Sequence, residues 1–167
     1  MSYRFDQVTS DFKCKHCRQY VSTDPILSGV NNRNHCPYCL WSRHLDLYRP
    51  GDRLSACKTE MQPVGVTLKR ANKKYGSQQG ELMLVHQCID CGSLSINRIA
   101  ADDDAETIFT IYQASLALDT QDLEPMEQAG IQILRDDDIS IVRARLFGRR
   151  FFELRASPAK KERFGEF

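Results

Sequence analysis

The sequence of 167 residues predicts a small α+β fold, with β-hairpins in its first part and a C-terminal α-helical extension. Three observations lead to this prediction. Paired cysteines recur before residue 92, strand-like apolar runs lie between them, and amphipathic helical patterns follow residue 104. The chain shows no signal peptide and no run near the roughly 20 apolar residues that cross a membrane, so we expect a cytoplasmic protein.

The two parts of the chain carry opposite charge. Residues 1 to 100 hold 14 Lys and Arg against 8 Asp and Glu, and residues 101 to 167 hold 9 against 14, which together give the net charge of +1. This asymmetry indicates a basic part followed by an acidic attachment. We therefore divide the chain into a domain at residues 10 to 104 and an acidic helical extension with a basic tail at residues 105 to 167.

Four cysteines form two Cys-x-x-Cys knuckles that are separated by eighteen residues: Cys14, Cys17, Cys36 and Cys39. Thiols stay reduced in the cytosol, and seven cysteines in the chain fit a disulfide framework poorly. Four thiolates close a tetrahedron without a water position, which is the structural type of zinc site in a zinc ribbon. A redox pair and an iron–sulfur cluster are the alternatives.

The remaining cysteines predict a second site. Two strand-like runs, at residues 63–69 and 81–87, flank a polar loop and read as a hairpin that brings Cys57 beside Cys88 and Cys91. Histidine is the natural fourth ligand, and we prefer His44 to His86, with water as the third option. We therefore expect two Zn²⁺ ions. A water at the open position would instead support a zinc-dependent hydrolase, although no known catalytic motif is present.

The residues around the second knuckle resemble a known family. The string Arg33-Asn34-His35-Cys36-Pro37 is similar to the signature of the RNHCP family, and the likeness extends over about residues 10 to 104. Its further matching positions include Trp41, Ser42, His44, Asp46, residues 50–53, Cys57, residues 61–65, His86, residues 88–92, residues 97–100 and residues 102–104. The resemblance implies a small zinc-binding domain of poorly defined activity.

Helical patterns dominate the acidic part. Asp102 to Asp104 can cap a helix over residues 105 to 118, a shorter helix fits residues 122 to 128, and residues 139 to 147 match the helical period up to Gly148. The β-branched residues of the last segment make a strand a competing interpretation.

Basic residues suggest RNA, or a ribonucleoprotein of the translation apparatus, as the partner. The loop of this hairpin carries four cations, counting Lys69 at its edge, and Tyr75, which suit phosphates and a stacked base. The expected nucleic-acid-binding residues are Arg33, Lys69, Arg70, Lys73, Lys74 and Arg98. The alternative function is a protein-interaction adaptor with structural zinc, in which residues 102 to 148 recruit the partner.

Overall fold

Two antiparallel sheets organise the first part of the computed structural model, which describes residues 11 to 69 and 80 to 148. The smaller sheet pairs β1 (Phe12–Lys13) with β2 (Tyr20–Val21). A short helix, α1 (Pro25–Ser28), follows, with Pro25 at its first position and Asp24 as its N-cap. Two strands of two residues each bury too little surface to persist alone, so the cysteines that flank them must hold them.

The larger sheet has the strand order β3-β4-β5-β6. It consists of β3 (Ser42–Arg43), β4 (Glu60–Lys69), β5 (Glu81–Cys88) and β6 (Leu94–Arg98). The predicted hairpin is the β4–β5 pair, in register from Met61 opposite Cys88 to Lys69 opposite Glu81, with an irregularity between Pro63 and Gly65. The hairpin loop at residues 70–79, which includes the predicted basic tip, lies outside the described residues.

Three α-helices follow the sheet within the described residues up to 148. Helix α2 (Ala105–Ser115) has Asp104 as its N-cap, as the sequence predicts, and the Asp104 carboxylate accepts the Thr107 N–H. Helix α3 (Thr120–Gln128) starts two residues earlier than expected, because Asp119 and Asp122 form a capping box. A 3-10 turn at Asp136–Asp138 leads into α4 (Ile139–Phe147), so the last segment is a helix and the strand alternative is wrong.

The helices bury their apolar faces on the large sheet. The main core joins side chains of the second knuckle, the sheet and the helices: Leu40, Val66, Leu82, Leu84, Ile108, Tyr112, Leu134 and Val142. The Tyr112 hydroxyl donates to the Arg135 carbonyl at 2.7 Å, which satisfies the polar end of a buried ring. Gly65 lets helix α2 approach, since a Cβ there would lie 3.2 Å from the Ser115 Cβ.

This packing ties the helical segment to the basic part. The predicted division after residue 104 coincides with the start of α2. Helices α2 and α4 share the main core with the sheet, and α3 packs Met126 against Val85 of the sheet in a separate hydrophobic cluster. Among the described residues, no helix has the length and apolar character that a membrane span requires. The small α+β fold with β-hairpins and a helical C-terminal part is confirmed.

Candidate metal centres

Three Cys-x-x-Cys turns share one backbone geometry. In each turn the N–H of the first cysteine donates to the carbonyl five residues on, at 2.8 Å for Cys14, 2.9 Å for Cys36 and 2.8 Å for Cys88. The residue after the second cysteine has a positive φ in every case: Arg18 at 67°, Leu40 at 60° and Gly92 at 72°. The sequence points to such a turn only at Gly92, because Arg and Leu rarely adopt a positive φ. The tight turns aim both sulfurs of each knuckle the same way.

The first cluster contains Cys14, Cys17, Cys36 and Cys39. The Cys14 and Cys39 sulfurs lie 3.7 Å apart, and the Cys17 and Cys36 sulfurs lie 3.5 Å apart. These distances exclude S–S bonds, which are about 2.05 Å long. A tetrahedron with Zn–S bonds of about 2.3 Å has edges of about 3.8 Å. The four sulfurs therefore fit a zinc ion with small adjustments.

The second cluster contains His44, Cys57, Cys88 and Cys91. The Cys57 and Cys88 sulfurs are 3.6 Å apart, and the Cys91 sulfur is 3.3 Å from His44 Nδ1. A tetrahedral zinc ion with one nitrogen ligand would put those last two atoms about 3.6 Å apart. Four protein donors fill a tetrahedral shell, which is the arrangement of a structural site.

Backbone pairing brings His44 to the cysteines. The His44 N–H donates to the Thr59 carbonyl at 2.9 Å, and the Lys58 N–H donates to the His44 carbonyl at 3.1 Å. Lys58 has a φ of 51°, so the chain turns sharply after Cys57. These bonds place His44 next to Cys57. The β4–β5 pairing, with Met61 opposite Cys88, brings Cys88 and Cys91 to the same end of the hairpin.

Burial changes the acidity of the sulfurs. In the first cluster, burial raises the pKa of the Cys36 thiol to about 11 and raises the pKa of the Cys39 thiol further. In the second cluster, hydrogen bonds from Ser93 lower the pKa of Cys91 to about 6. Metal ions bind thiolates, so an ion at the first cluster must displace protons that the buried thiols would otherwise keep.

His86, the competing fourth ligand, serves the core instead. Its ring is fully buried, with Nε2 donating to the Leu40 carbonyl at 2.7 Å and Nδ1 accepting from the Asn97 side chain at 2.9 Å. Both ring nitrogens are therefore occupied by the protein. Burial, helped by the neighbouring His35, lowers the pKa of His86 to about 3, so the imidazole is neutral.

Asp46 stands two residues after His44, a spacing from which the sequence predicts a bond to the non-ligating ring nitrogen, but the structure shows another arrangement. The Asp46 carboxylate accepts the Asn34 amide at 2.8 Å, the Gly51 N–H at 2.8 Å and the Arg53 N–H at 3.0 Å. It thus fixes the loop after His44 and does not orient the imidazole. The sequence distance suggested the wrong partner, because the loop folds back on itself at Gly51, where φ is 87°.

The polar residues before the second knuckle form a buried network with the start of α2. The Arg33 guanidinium is wholly buried and donates to Asp102 at 2.7 Å and to Asp103 at 3.0 Å. His35 Nε2 donates to the second oxygen of the Asp103 carboxylate at 2.7 Å. We call Arg33, His35 and Asp103 the buried network. A buried carboxylate with such partners joins the knuckle to helix α2 through charge-assisted bonds.

Three of the six nucleic-acid-binding residues expected from the sequence lie in the described part of the chain, and they differ in exposure. The expectation for Arg33 is wrong, because its side chain is buried and paired with two aspartates. Lys69 is exposed, and Arg98 is half-exposed while it pairs with Glu81 at 2.8 Å. The other three, Arg70, Lys73 and Lys74, lie outside the described residues and remain predictions.

Basic and aromatic side chains that the sequence analysis missed surround the first knuckle. Lys13, Lys15 and Arg18 are exposed there, and Lys13 Nζ lies 5.4 Å from the centre of the exposed Tyr20 ring. We call the exposed residues Lys13, Lys15, His16, Arg18 and Tyr20 the knuckle surface. Residues 13 to 20 contain no acidic residue, and this uniform charge was the available signal in the sequence.

A family comparison agrees with this geometry. The model of the RNHCP domain matches residues 9–109, more than half of the chain. The chain belongs to the RNHCP family. Neither the curated proteins nor the solved structures contained a match to it.

The five letters that name the RNHCP family can now be read as structure. Arg33 and His35 form the buried network, and the Asn34 amide donates to Asp46. Cys36 belongs to the first cluster, and the Pro37 carbonyl accepts the Asp104 N–H at 3.1 Å. All five letters therefore belong to the joint between the first cluster, the following loop and helix α2.

Proposed function

We propose that this RNHCP protein holds two structural zinc ions and binds single-stranded RNA, free or within a ribonucleoprotein, through its knuckle surface. The cations of that surface suit phosphates, and Tyr20, with 75% of its surface exposed, offers a ring on which a base can stack. The single observation that carries the proposal is this group of cations and an exposed aromatic ring on one metal-supported turn.

Zinc is the ion that best fits both clusters. Seven sulfurs and one imidazole nitrogen, in two tetrahedral sets, match the donors that structural zinc prefers. Zinc would hold β1, β2 and the knuckles in place, and it would supply no reactive water when four protein donors bind it. Elemental analysis with X-ray absorption should give two zinc ions per chain and an average ligation dominated by sulfur. One ion per chain, or iron, would contradict this part of the proposal.

RNA binding is tested by salt dependence. Fluorescence anisotropy with a labelled single strand of about 20 nucleotides should give an affinity that falls between about 50 and 200 mM salt. For single-stranded nucleic acid, each phosphate contact contributes about 0.7 to the slope of log affinity against log salt concentration. The double variant Lys13→Ala with Lys15→Ala should therefore lower the slope by about 1.4.

A matched double variant separates a local surface from overall charge. Arg49→Ala with Lys58→Ala removes the same charge from exposed positions outside the knuckle surface and should leave the slope unchanged. Tyr20→Ala should weaken binding without changing the slope, because stacking releases no counterions. Equal effects of the two double variants, or binding insensitive to salt, would refute the RNA proposal. A variant with Lys69, Arg70, Lys73 and Lys74 changed to Ala tests the loop in the same assay.

A further inference from the structure

A groove of about 580 Å³ lies beside the second cluster, and His44 is the one candidate metal ligand among its lining residues. Its walls are strand β6, the segment from Arg43 to Pro50, and the end of helix α3 at Pro125, Gln128 and Ala129. A volume of this size lies within the range of about 300 to 1,000 Å³ that binding sites occupy. The knuckle surface does not contribute to the groove.

One wall of the groove is an open sheet edge. Strand β6 is the last in the order β3-β4-β5-β6, and within the described residues its pairing partner is β5 alone. Four consecutive residues, Leu94 to Asn97, line the groove. Side chains alternate between the two faces of a sheet, so consecutive lining residues mean that the strand meets the groove along its edge. Alternate N–H and C=O groups of such an edge can pair with another chain.

The opposite wall is a loop fixed by two carboxylates. Asp52 accepts the N–H groups of Leu47, Tyr48, Arg49 and Leu54 at 2.8 to 3.0 Å. Asp46 accepts two more, from Gly51 and Arg53. These bonds lower the pKa of Asp52, so its carboxylate stays ionised at neutral pH and the loop keeps its shape.

This rigid loop displays apolar side chains to solvent. Tyr48 is 80% exposed, Leu54 is 61% exposed and Leu47 is 51% exposed. A loop ordered in advance loses little conformational entropy when a partner covers it. Exposed aromatic and aliphatic side chains on such a support have the character of binding hot spots.

We propose that this groove binds an extended peptide of a partner protein, which adds a fifth strand to the sheet beside β6. The groove offers apolar contacts from Leu94 and Ile96, which suit alternate apolar side chains of a strand. Arg43 and Arg49 also line it, while the Asp46 carboxylate is engaged by backbone and amide donors. The peptide is therefore acidic as well as apolar. This protein-binding role goes beyond the RNA-binding function and does not depend on it.

Peptides selected from a random display library on the full zinc-loaded chain supply the probe. We expect an alternation of apolar and acidic residues among them. The best peptide is then synthesised in two N-methylated forms, one with the odd and one with the even backbone amides blocked. A strand pairs through one edge only, so one form should lose at least tenfold in affinity while the other binds as the parent does. Equal binding of the two forms would overturn the proposal.

Two matched tyrosine variants locate the peptide. Tyr48→Ala should weaken peptide binding at least tenfold and leave RNA affinity unchanged, while Tyr20→Ala should do the reverse. Loss of RNA binding in Tyr48→Ala without loss of peptide binding would assign the groove to RNA and overturn the proposal. A dimer of the full chain that Tyr48→Ala converts to a monomer would show a second copy in the groove, which also overturns it. Failure to select any peptide would also overturn the peptide proposal, whether or not the protein binds RNA.

Discussion

Replacing Asp103 by Asn should destabilise the protein strongly, because the Asp103 carboxylate is the acceptor at the centre of the buried network. One oxygen accepts from Arg33, and the other accepts from His35 and from the Ala100 N–H at 2.8 Å. In an asparagine, one of these oxygens becomes an NH₂ group. In either orientation of the amide, that NH₂ group faces a donor.

The burial of Arg33 and Asp103 sets the expected loss in the free energy of unfolding. The side chains of Arg33 and Asp103 have no exposed surface, and removing one member of a buried charge pair costs about 3 to 5 kcal/mol. Asp102→Asn is the matched control, since its carboxyl group also pairs with Arg33 but is 37% exposed, and it should cost about 1 kcal/mol or less. Asp104→Asn keeps an N-cap residue of equal quality and should cost least.

Urea unfolding of the zinc-loaded proteins, at one fixed free zinc concentration, measures these differences. A fixed zinc level is needed because ion binding adds to the apparent stability. The reasoning would be refuted if Asp103→Asn lost less than about 1 kcal/mol, or no more than Asp102→Asn. Such a result would mean that the buried network contributes little to the joint between the first knuckle and α2.

Three further predictions concern protons, packing and metal. Burial lowers the pKa of His86 to about 3, so below about pH 6.5 the unfolded chain binds a proton that the folded chain does not. The free energy of unfolding should therefore decrease as the pH is lowered from about 6.5 toward 3, by up to about 1.4 kcal/mol per pH unit. Urea unfolding at several pH values should show a shallower decrease for His86→Gln. Gly65→Ala should cost about 1 to 3 kcal/mol, since the new Cβ would lie 3.1 Å from the Ile133 Cδ1, and thermal unfolding should show a lower Tm. Zinc binding at the first cluster should release protons and tighten as pH rises, because burial holds the Cys36 pKa near 11; calorimetry in buffers of different ionisation enthalpy should detect this, and heat independent of buffer would contradict it.

Local patterns explain what could be predicted from the sequence. Spacing alone indicates the knuckles, and the helix that begins after Asp104 follows from the preference of aspartate for that position. His44 could be chosen because three cysteines needed one more donor, and the structure brings it within 3.3 Å of Cys91. Each of these inferences uses residues whose chemistry allows few partners.

Contacts across long stretches of chain explain what could not be predicted. Arg33 was assigned to an exposed basic surface, because its partners, Asp102 and Asp103, lie about seventy residues away in sequence. Strand β6 is not evident from the sequence, since its five residues, flanked by polar positions, give a weak alternating pattern. The preference of β6 for strand comes from its pairing with β5, which is a tertiary interaction.

The stack between Trp41 and His16 gives the native chain an optical reporter. The two rings lie 4.0 Å apart and are parallel to within 5°, and Trp41 is the single tryptophan in the sequence. His16 sits between Cys14 and Cys17, so the stack depends on the knuckle that carries it. Trp41 fluorescence should therefore change when an ion binds the first cluster and stay constant when an ion binds the second. The two ions can then be titrated separately without any label.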